Sequence, residues 1–288
     1  MWSDIARGIE AATGRHYAIS ERVPVAGGCI NRACRVTDGE RMYFVKTNAA
    51  AALDMYAAEA AGLAAIGATR TVRVPQPICT GSNADAAWLV LEYVALGPLS
   101  EVAAAPLARL HAHSADRYGW HRDNTIGRTP QHNAWCADWP TFWRERRLEP
   151  QLALAQRNGY GGRLQRDGAR LCEHLPAFFG DYRPAPALLH GDLWGGNAGS
   201  DDTGAPVVFD PATYYGDREA DLAMTELFDG YPPAFYAAYE AASPLDAGYR
   251  VRKTLYNLYH VLNHLNLFGT SYIAQAKRMM ARLLAEIH

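Results

Sequence analysis

His190-Gly191-Asp192-Leu193-Trp194-Gly195-Gly196-Asn197, with Phe209-Asp210-Pro211 behind it, decides how this 288-residue chain is read. Asp192 and Asn197 are five residues apart and can face one point from a single loop. Asp210 follows Asp192 by eighteen positions and ends the apolar run Val207-Val208-Phe209. Phosphoryl transfer from ATP needs such a set: one carboxylate to receive a hydroxyl proton, and an amide with a second carboxylate to hold Mg²⁺. On this reading Asp192 is the catalytic base, and Asn197 and Asp210 are the metal ligands.

Protein kinases write the same roles as H-R-D, an Asn five residues after the Asp, and D-F-G. Here they read H-G-D, Asn197 and F-D-P. Working outward, a lysine is needed for the α- and β-phosphates, with an acid to hold it. Lys46 ends the β-prone run Tyr43-Phe44-Val45. Glu59 is the one acid within Ala57–Ile66, set among small apolar residues where a solvated stripe is not expected. A Lys46–Glu59 ion pair follows. Gly27-Gly28-Cys29-Ile30-Asn31 precedes the lysine strand, where a phosphate-covering turn belongs, and its backbone N–H groups would meet the anion. Cys29 in that turn reads as a redox-sensitive thiol. Leu89-Val90-Leu91-Glu92-Tyr93-Val94 reads as a strand running into the connection between halves. The Glu92 C=O and Val94 N–H, on either side of Tyr93, are the candidates to bond adenine.

The organisation suits this chemistry. A short helix is expected at 3–13 with Ser3 as its N-cap. Strands are expected at Tyr17–Ala26, Ile30–Thr37 and from Met42 to Lys46, with a hairpin turn at Asp38-Gly39. An Ala-rich helix over Ala51–Ile66 and strands around Val72–Ile78 and Ala87–Val94 complete the first part. Beyond Gly97-Pro98 the pattern turns helical, at Leu99–His113, 139–158, 163–179, Val251–Phe268 and Tyr272–Ile287, with a long loop at 116–138. The expected fold class is α+β: a two-lobed, protein-kinase-like chain. Residues 1–94 form a small antiparallel-β nucleotide-binding lobe, and 95–288 a larger, mainly helical catalytic and substrate lobe, with a ligand cleft between them.

Composition narrows the function classes. Hydrophobic residues make up 49% of the chain, enough for a sizeable core. The net charge of −2 and the lack of a basic run argue against a nucleic-acid partner. No apolar run reaches the roughly 20 residues of a membrane helix, and no signal peptide is read at the start. Five scattered cysteines without a C-x-x-C pair suggest neither zinc nor disulfides, so a cytoplasmic setting is expected.

Other polar residues carry weaker signals. Asp221 precedes an apolar helical run and reads as its N-cap, with bracing of the catalytic loop as a second role. Asp217 either orients substrate or forms a surface ion pair. His111 and His113 do not share a helix face. His260 and His264 are four apart and do, but no nearby acid completes a metal set. They read as core or substrate-cleft histidines, with His264 as the candidate substrate contact.

Taken together, these stretches resemble the fructosamine kinase (ketosamine-3-kinase) family, within the wider group of aminoglycoside and choline phosphotransferases. The likeness extends over nearly the whole chain. Leu189 to Asn197 with its internal Trp carries it most specifically. Phe209-Asp210-Pro211-Ala212, Tyr214-Tyr215-Gly216-Asp217, Gly28-Cys29-Ile30-Asn31 and Leu262-Asn263-His264-Leu265-Asn266 support it. The resemblance implies ATP- and Mg²⁺-dependent phosphorylation of the 3-hydroxyl of a sugar-derived ketoamine, free or protein-linked. The phosphorylated product then falls apart and restores the amine, a repair of glycated molecules.

The residues also point to a small or protruding acceptor. Ten residues separate Asp210 from Asp221 and no A-P-E element follows, which leaves no room for a protein-kinase activation segment. Trp194 stands where protein kinases place a catalytic-loop lysine, and offers an aromatic face beside Asp192 for a sugar or amine-bearing chain. The alternatives are a kinase for another alcohol (an aminoglycoside, a choline-like compound or a metabolite) and a silent nucleotide-binding scaffold. A monomer or weak homodimer is expected.

Overall fold

Asp38 and Gly39 close the hairpin between Arg32–Thr37 and Met42–Asn48 for a local reason. The Asp38 carboxylate accepts the backbone N–H groups of Glu40 at 3.0 Å and Arg41 at 2.7 Å, and Gly39 takes the positive φ of 99° that the turn requires. The computed structural model describes residues 1–25, 30–99, 103–228 and 230–287. Contacts divide the chain into two compact units, Met1–Ala103 with Asn197–Pro211, and Ala104–Gly196 with Ala212–His288.

The first unit is built on a five-stranded antiparallel sheet. Its strands are β1 (Glu21–Val25), β2 (Arg32–Thr37), β3 (Met42–Asn48), β4 (Pro77–Ser82) and β5 (Ala87–Glu92), in the order β1-β2-β3-β5-β4. Period-two alternation puts Tyr43 and Val45 of β3 on one face. There they join Val36, Trp88 and Val90, and Ile5 and Ile9 of helix α1 (Trp2–Thr13), in one core cluster. Helix α2 (Leu53–Ala68) buries Tyr56, Ala58, Gly62, Leu63 and Ile66. A late hairpin, Ala198–Ser200 with Pro206–Val208, belongs to this unit. Gly97 and Ser200 exchange backbone hydrogen bonds of 2.8 and 3.1 Å, and the Val208 N–H donates to the Arg73 carbonyl at 3.0 Å.

The second unit is mainly helical. Its helices are α3 (Ala104–His111), α4 (Trp139–Trp143), α5 (Glu149–Arg157), α6 (Arg163–Glu173), α7 (Arg218–Thr225), α8 (Pro233–Ala242), α9 (Tyr249–Phe268) and α10 (Ile273–Ala285). Helix α9 buries residues on almost every side, Arg252 and the whole run from Thr254 to Asn263 among them, so it is a core helix and not a surface one. Arg147 is fully buried, and among the described residues no carboxylate pairs with it. Its guanidinium lies 4.1 Å from the Tyr214 ring centroid and donates to the His132 carbonyl at 2.6 Å and to Asn133 Oδ1 at 2.8 Å. Ring faces and carbonyl dipoles stand in for a counter-ion there.

The antiparallel sheet followed by a helical part makes the chain α+β, as expected from the sequence. Several boundaries differ. Helix α1 starts at Trp2, and Ser3 makes no capping bond. The strand expected around Val72–Ile78 lies later, over Pro77–Ser82. The helix expected at 139–158 is interrupted by a π-turn over Arg144–Leu148. The 116–138 loop contains a small ladder, Asn124–Ile126 with Thr129–Gln131.

Candidate active site

In the first unit, alternation along β3 turns Lys46 to the face opposite Val45. Lys46 is 5% exposed, and its Nζ donates to Glu59 Oε1 of α2 at 2.7 Å. The same Nζ also donates to Asp210 Oδ1. Burial alone would lower the Lys46 pKa, but the two carboxylates raise it above its ordinary value, so the ammonium stays charged. Burial pushes the Glu59 carboxyl up, against the pull of Lys46. Two carboxylates thus share one ammonium.

Asn197 and Asp210 come to the same end of the late hairpin. The Phe209 N–H donates to the Asn197 carbonyl at 3.0 Å, one step beyond the Val208–Ala198 pair, and Asp210 is the next residue. Asp210 adopts a positive φ of 58°, uncommon outside glycine and tolerated by Asp. Its side chain is 41% exposed, whereas Glu59 is 11% exposed. Asp210 is therefore the member of the trio open to a ligand. A carboxylate and an amide oxygen are hard donors that suit Mg²⁺, which takes few protein ligands and completes its shell with water and phosphate oxygens. Two carboxylates beside one ammonium fit a cation. Among the described residues no group of three His, Cys, Asp or Glu side chains is placed to hold a metal.

The expected adenine strand is β5, which ends at Glu92, with Tyr93 and Val94 just beyond it. The Glu92 side chain is tied down: Arg73 donates to Glu92 Oε1 at 2.7 Å, and the Gln76 N–H to Oε2 at 3.2 Å. Asn31 Oδ1 accepts from Asn48 Nδ2 at 2.9 Å and the Tyr56 hydroxyl at 3.1 Å, so its side chain anchors the chain just before β2. Ile30 takes part through its carbonyl, which accepts from Asn48 Nδ2 at 3.3 Å. Gly27, Gly28 and Cys29 lie outside the described residues.

The second unit holds Asp192. The loop leaves the short strand Ala187–Leu189 and turns at Gly191, whose φ is 83°. A Cβ at Gly191 would collide with the Ala212 carbonyl oxygen, so only glycine fits. Asp221, buried within α7, braces the turn: His190 N–H donates to its Oδ2 at 2.7 Å and Gly191 N–H to its Oδ1 at 2.8 Å. Behind Asp221 stands His111, with Nε2 at 3.2 Å from Oδ2 and Nδ1 at 2.7 Å from the Tyr239 hydroxyl. Burial favours the neutral Asp221 carboxyl, but the bonds it accepts outweigh this and hold its pKa below the usual value.

Trp194 is 38% exposed, and a Cβ at Gly196 would run into its indole. The ring therefore lies over Gly196 with part of its surface open. His264 is half-buried; its ring packs against Phe228, Phe268 and Tyr272 at centroid distances of 4.6, 5.3 and 5.2 Å. Its Nδ1 lies 2.8 Å from the His260 carbonyl oxygen.

Asp217 requires a correction. It is fully buried, so it neither meets solvent nor offers a carboxylate to substrate. It caps α7 through the Glu219 N–H at 2.9 Å, and accepts the Tyr182 and Tyr256 hydroxyls at 3.1 and 2.5 Å. Asp221 is correspondingly not the cap; it lies inside α7 and acts as the brace. The backing of the brace by His111 and Tyr239 is not among the expectations, because these contacts span 110 and 128 residues of sequence; His260, expected as a core or substrate-cleft histidine, is buried on α9.

A sheet unit with a buried lysine held by Glu59 and Asp210, and a helical unit carrying H-G-D, define a kinase-like phosphotransferase class. The solved structures agree on the fold. A crystal structure from Haemophilus somnus, named as a candidate fructosamine-3-kinase, superposes with a TM-score of 0.91 at 29% identity over 99% of this chain and 98% of that one. The aminoglycoside phosphotransferase APH(4)-Ia shares the fold at a TM-score of 0.63 and 16% identity, covering 99% of each chain. The chain belongs to the fructosamine kinase family, whose profile matches residues 1–286. A probable ketoamine kinase of Synechocystis sp. is 50% identical over 288 residues, covering 98% of this chain and 97% of that protein. The chloroplastic protein-ribulosamine 3-kinase of Arabidopsis thaliana is 41% identical over 271 residues, covering 91% and 82%.

Proposed function

We propose that this protein is an ATP-dependent kinase for the 3-hydroxyl of ketosamines, the fructosamine and ribulosamine adducts of amines, and so begins their removal from the amine. The observation that carries the reading is the single Lys46 ammonium shared by Glu59 and Asp210. A buried lysine held this way is a fixed positive charge for phosphate oxygens, and Asp210 remains open beside it.

The first unit serves the nucleotide. Lys46 neutralises charge on the α- and β-phosphates, and Glu59 keeps it from rotating away. Asn197 and Asp210 are the residues that would hold Mg²⁺, which when bound neutralises the charge on the phosphate oxygens. The second unit serves the acceptor. Asp192 receives the proton as the hydroxyl oxygen bonds to the γ-phosphorus and the bond from that phosphorus to ADP breaks. The open part of the Trp194 ring gives the acceptor an apolar face. Asp221 holds the Asp192 turn through two backbone N–H groups. Among the described residues no helix is long and apolar enough to cross a membrane, and Cys34, Cys79, Cys136 and Cys172 are free thiols, which suits work in a reducing cytoplasm.

The test is ADP release with purified protein and Mg²⁺-ATP against fructosyl-lysine, ribulosyl-lysine, choline, an aminopropanol and an aminoglycoside. Turnover confined to the two ketosamines is expected. Turnover on one of the other alcohols alone would replace the acceptor assignment and keep the kinase.

A further inference from the structure

His260 is a buried polar group that neither the fold nor the proposed chemistry uses. It stands on α9, is 4% exposed, and among the described residues its Nδ1 has no hydrogen-bond partner. Buried side-chain nitrogens are almost always bonded, so an orphan marks a missing partner. Asp192 Oδ1 lies 3.9 Å from this nitrogen. That is beyond a direct hydrogen bond, but one small polar group can sit within reach of both atoms. Asp192 is the more open of the two, with its side chain 22% exposed against 5% for His260.

The surroundings fix the imidazole in place and keep it neutral. The Tyr259 ring centroid is 5.1 Å from its own, and the next turn of α9 is held by His264 against the His260 carbonyl. Burial, helped by His264, pushes the His260 pKa down to about 3, with Asp221 pulling weakly the other way. A neutral imidazole adds no charge beside the base and can donate from Nδ1 when the proton resides there.

We infer that His260 is a positioning residue of the acceptor site, whose Nδ1–H donates to the oxygen on the carbon next to the reacting hydroxyl and so turns that hydroxyl toward Asp192 Oδ1. This rests on the proposed kinase reading and deepens it: the acceptor class is an α-hydroxy ketone or vicinal diol, not an isolated alcohol. In a ketosamine phosphorylated at its 3-hydroxyl, the neighbouring oxygen is the 2-carbonyl, a pure acceptor that matches an N–H donor.

The experiment compares wild type, His260→Leu and His260→Asn in steady-state assays with ribulosyl-lysine and fructosyl-lysine. Leucine keeps the volume and removes the donor; asparagine can place an amide N–H near the Nδ1 position. His260→Leu is expected to raise the acceptor KM about tenfold, the worth of one lost hydrogen bond, with the ATP KM unchanged. His260→Asn is expected to recover most of that loss. An unchanged acceptor KM in His260→Leu, or equal losses in both variants, overturns the inference. A readout without any variant is the ¹⁵N signal of His260 Nδ1 in wild type bearing a non-hydrolysable ATP analogue. It is expected to shift on adding ketosamine, and an unmoved signal while ketosamine binds overturns the inference. Failure of wild type to bind or phosphorylate either ketosamine overturns the proposed function instead.

Discussion

Asp221 accepts the Gly191 backbone N–H at 2.8 Å, so a carboxylate buried in α7 holds the turn on which Asp192 stands. Its other oxygen takes the His190 N–H and faces His111. Replacing Asp221 by Asn removes the charge from this set and leaves an N–H-bearing group against N–H donors. A loss of about 3 kcal/mol is expected, read as a fall in melting temperature of roughly 5–10 °C. Turnover should fall as well, since Asp192, the proposed base, loses its mounting. An unchanged melting temperature would show that the brace is dispensable.

Gly191→Ala tests the same turn from the other side. The added Cβ meets the Ala212 carbonyl oxygen, and φ is 83°. Backbone cannot yield as a side-chain tip can, so destabilisation of about 2 kcal/mol or more is expected by denaturant titration. A variant as stable as wild type would contradict the close approach.

Asp192→Asn keeps the shape of the side chain and removes its basicity. Turnover is expected to fall by about 10²–10⁴-fold, the usual contribution of a positioned base. The ADP dissociation constant should stay near that of wild type, because Lys46, Glu59 and Asp210 are untouched. Turnover near wild type would remove Asp192 from the base role.

The acid side of the stability curve reports His260. Its pKa is pushed down to about 3 in the folded protein, against an ordinary value of 6.5. The unfolded chain therefore takes a proton near pH 6.5 that the folded chain refuses. The stability it contributes is present above pH 6.5 and is lost as the pH falls from there toward about 3. The slope from this one group is at most about 1.4 kcal/mol per pH unit. His260→Asn should flatten stability against pH in that window relative to wild type. Parallel curves would mean that His260 takes up its proton while folded.

The reach of the sequence is seen in individual residues. Lys46 and Glu59 are legible because an acid among small apolar residues of an Ala-rich helix needs a cation, and the preceding strand carries one. Asp210 is legible from its place after an apolar run, but its bond to Lys46 spans 164 residues and has no local sign. Asp217 takes the capping role expected of Asp221, and Asp221 keeps the second role read for it, the brace. Both are good helix starters, four residues apart. Which one caps α7 is settled by the Tyr182 and Tyr256 hydroxyls, which come from 35 and 39 residues away. β4 begins later than expected because Val72 and Val74 are buried without belonging to a strand, and β propensity does not separate the two cases. The unpaired His260 Nδ1 depends wholly on packing, and no periodicity could mark it.

The central claim is transfer of the γ-phosphoryl group of ATP to the 3-hydroxyl of a ketosamine. ³¹P NMR of a reaction containing Mg²⁺-ATP, ribulosyl-lysine and the protein reads it directly. The expected result is a new phosphomonoester signal coupled to the proton on carbon 3, growing as ADP appears and absent with Asp192→Asn. ADP formed with inorganic phosphate as the sole product from the start, or an ester on another carbon, would contradict it.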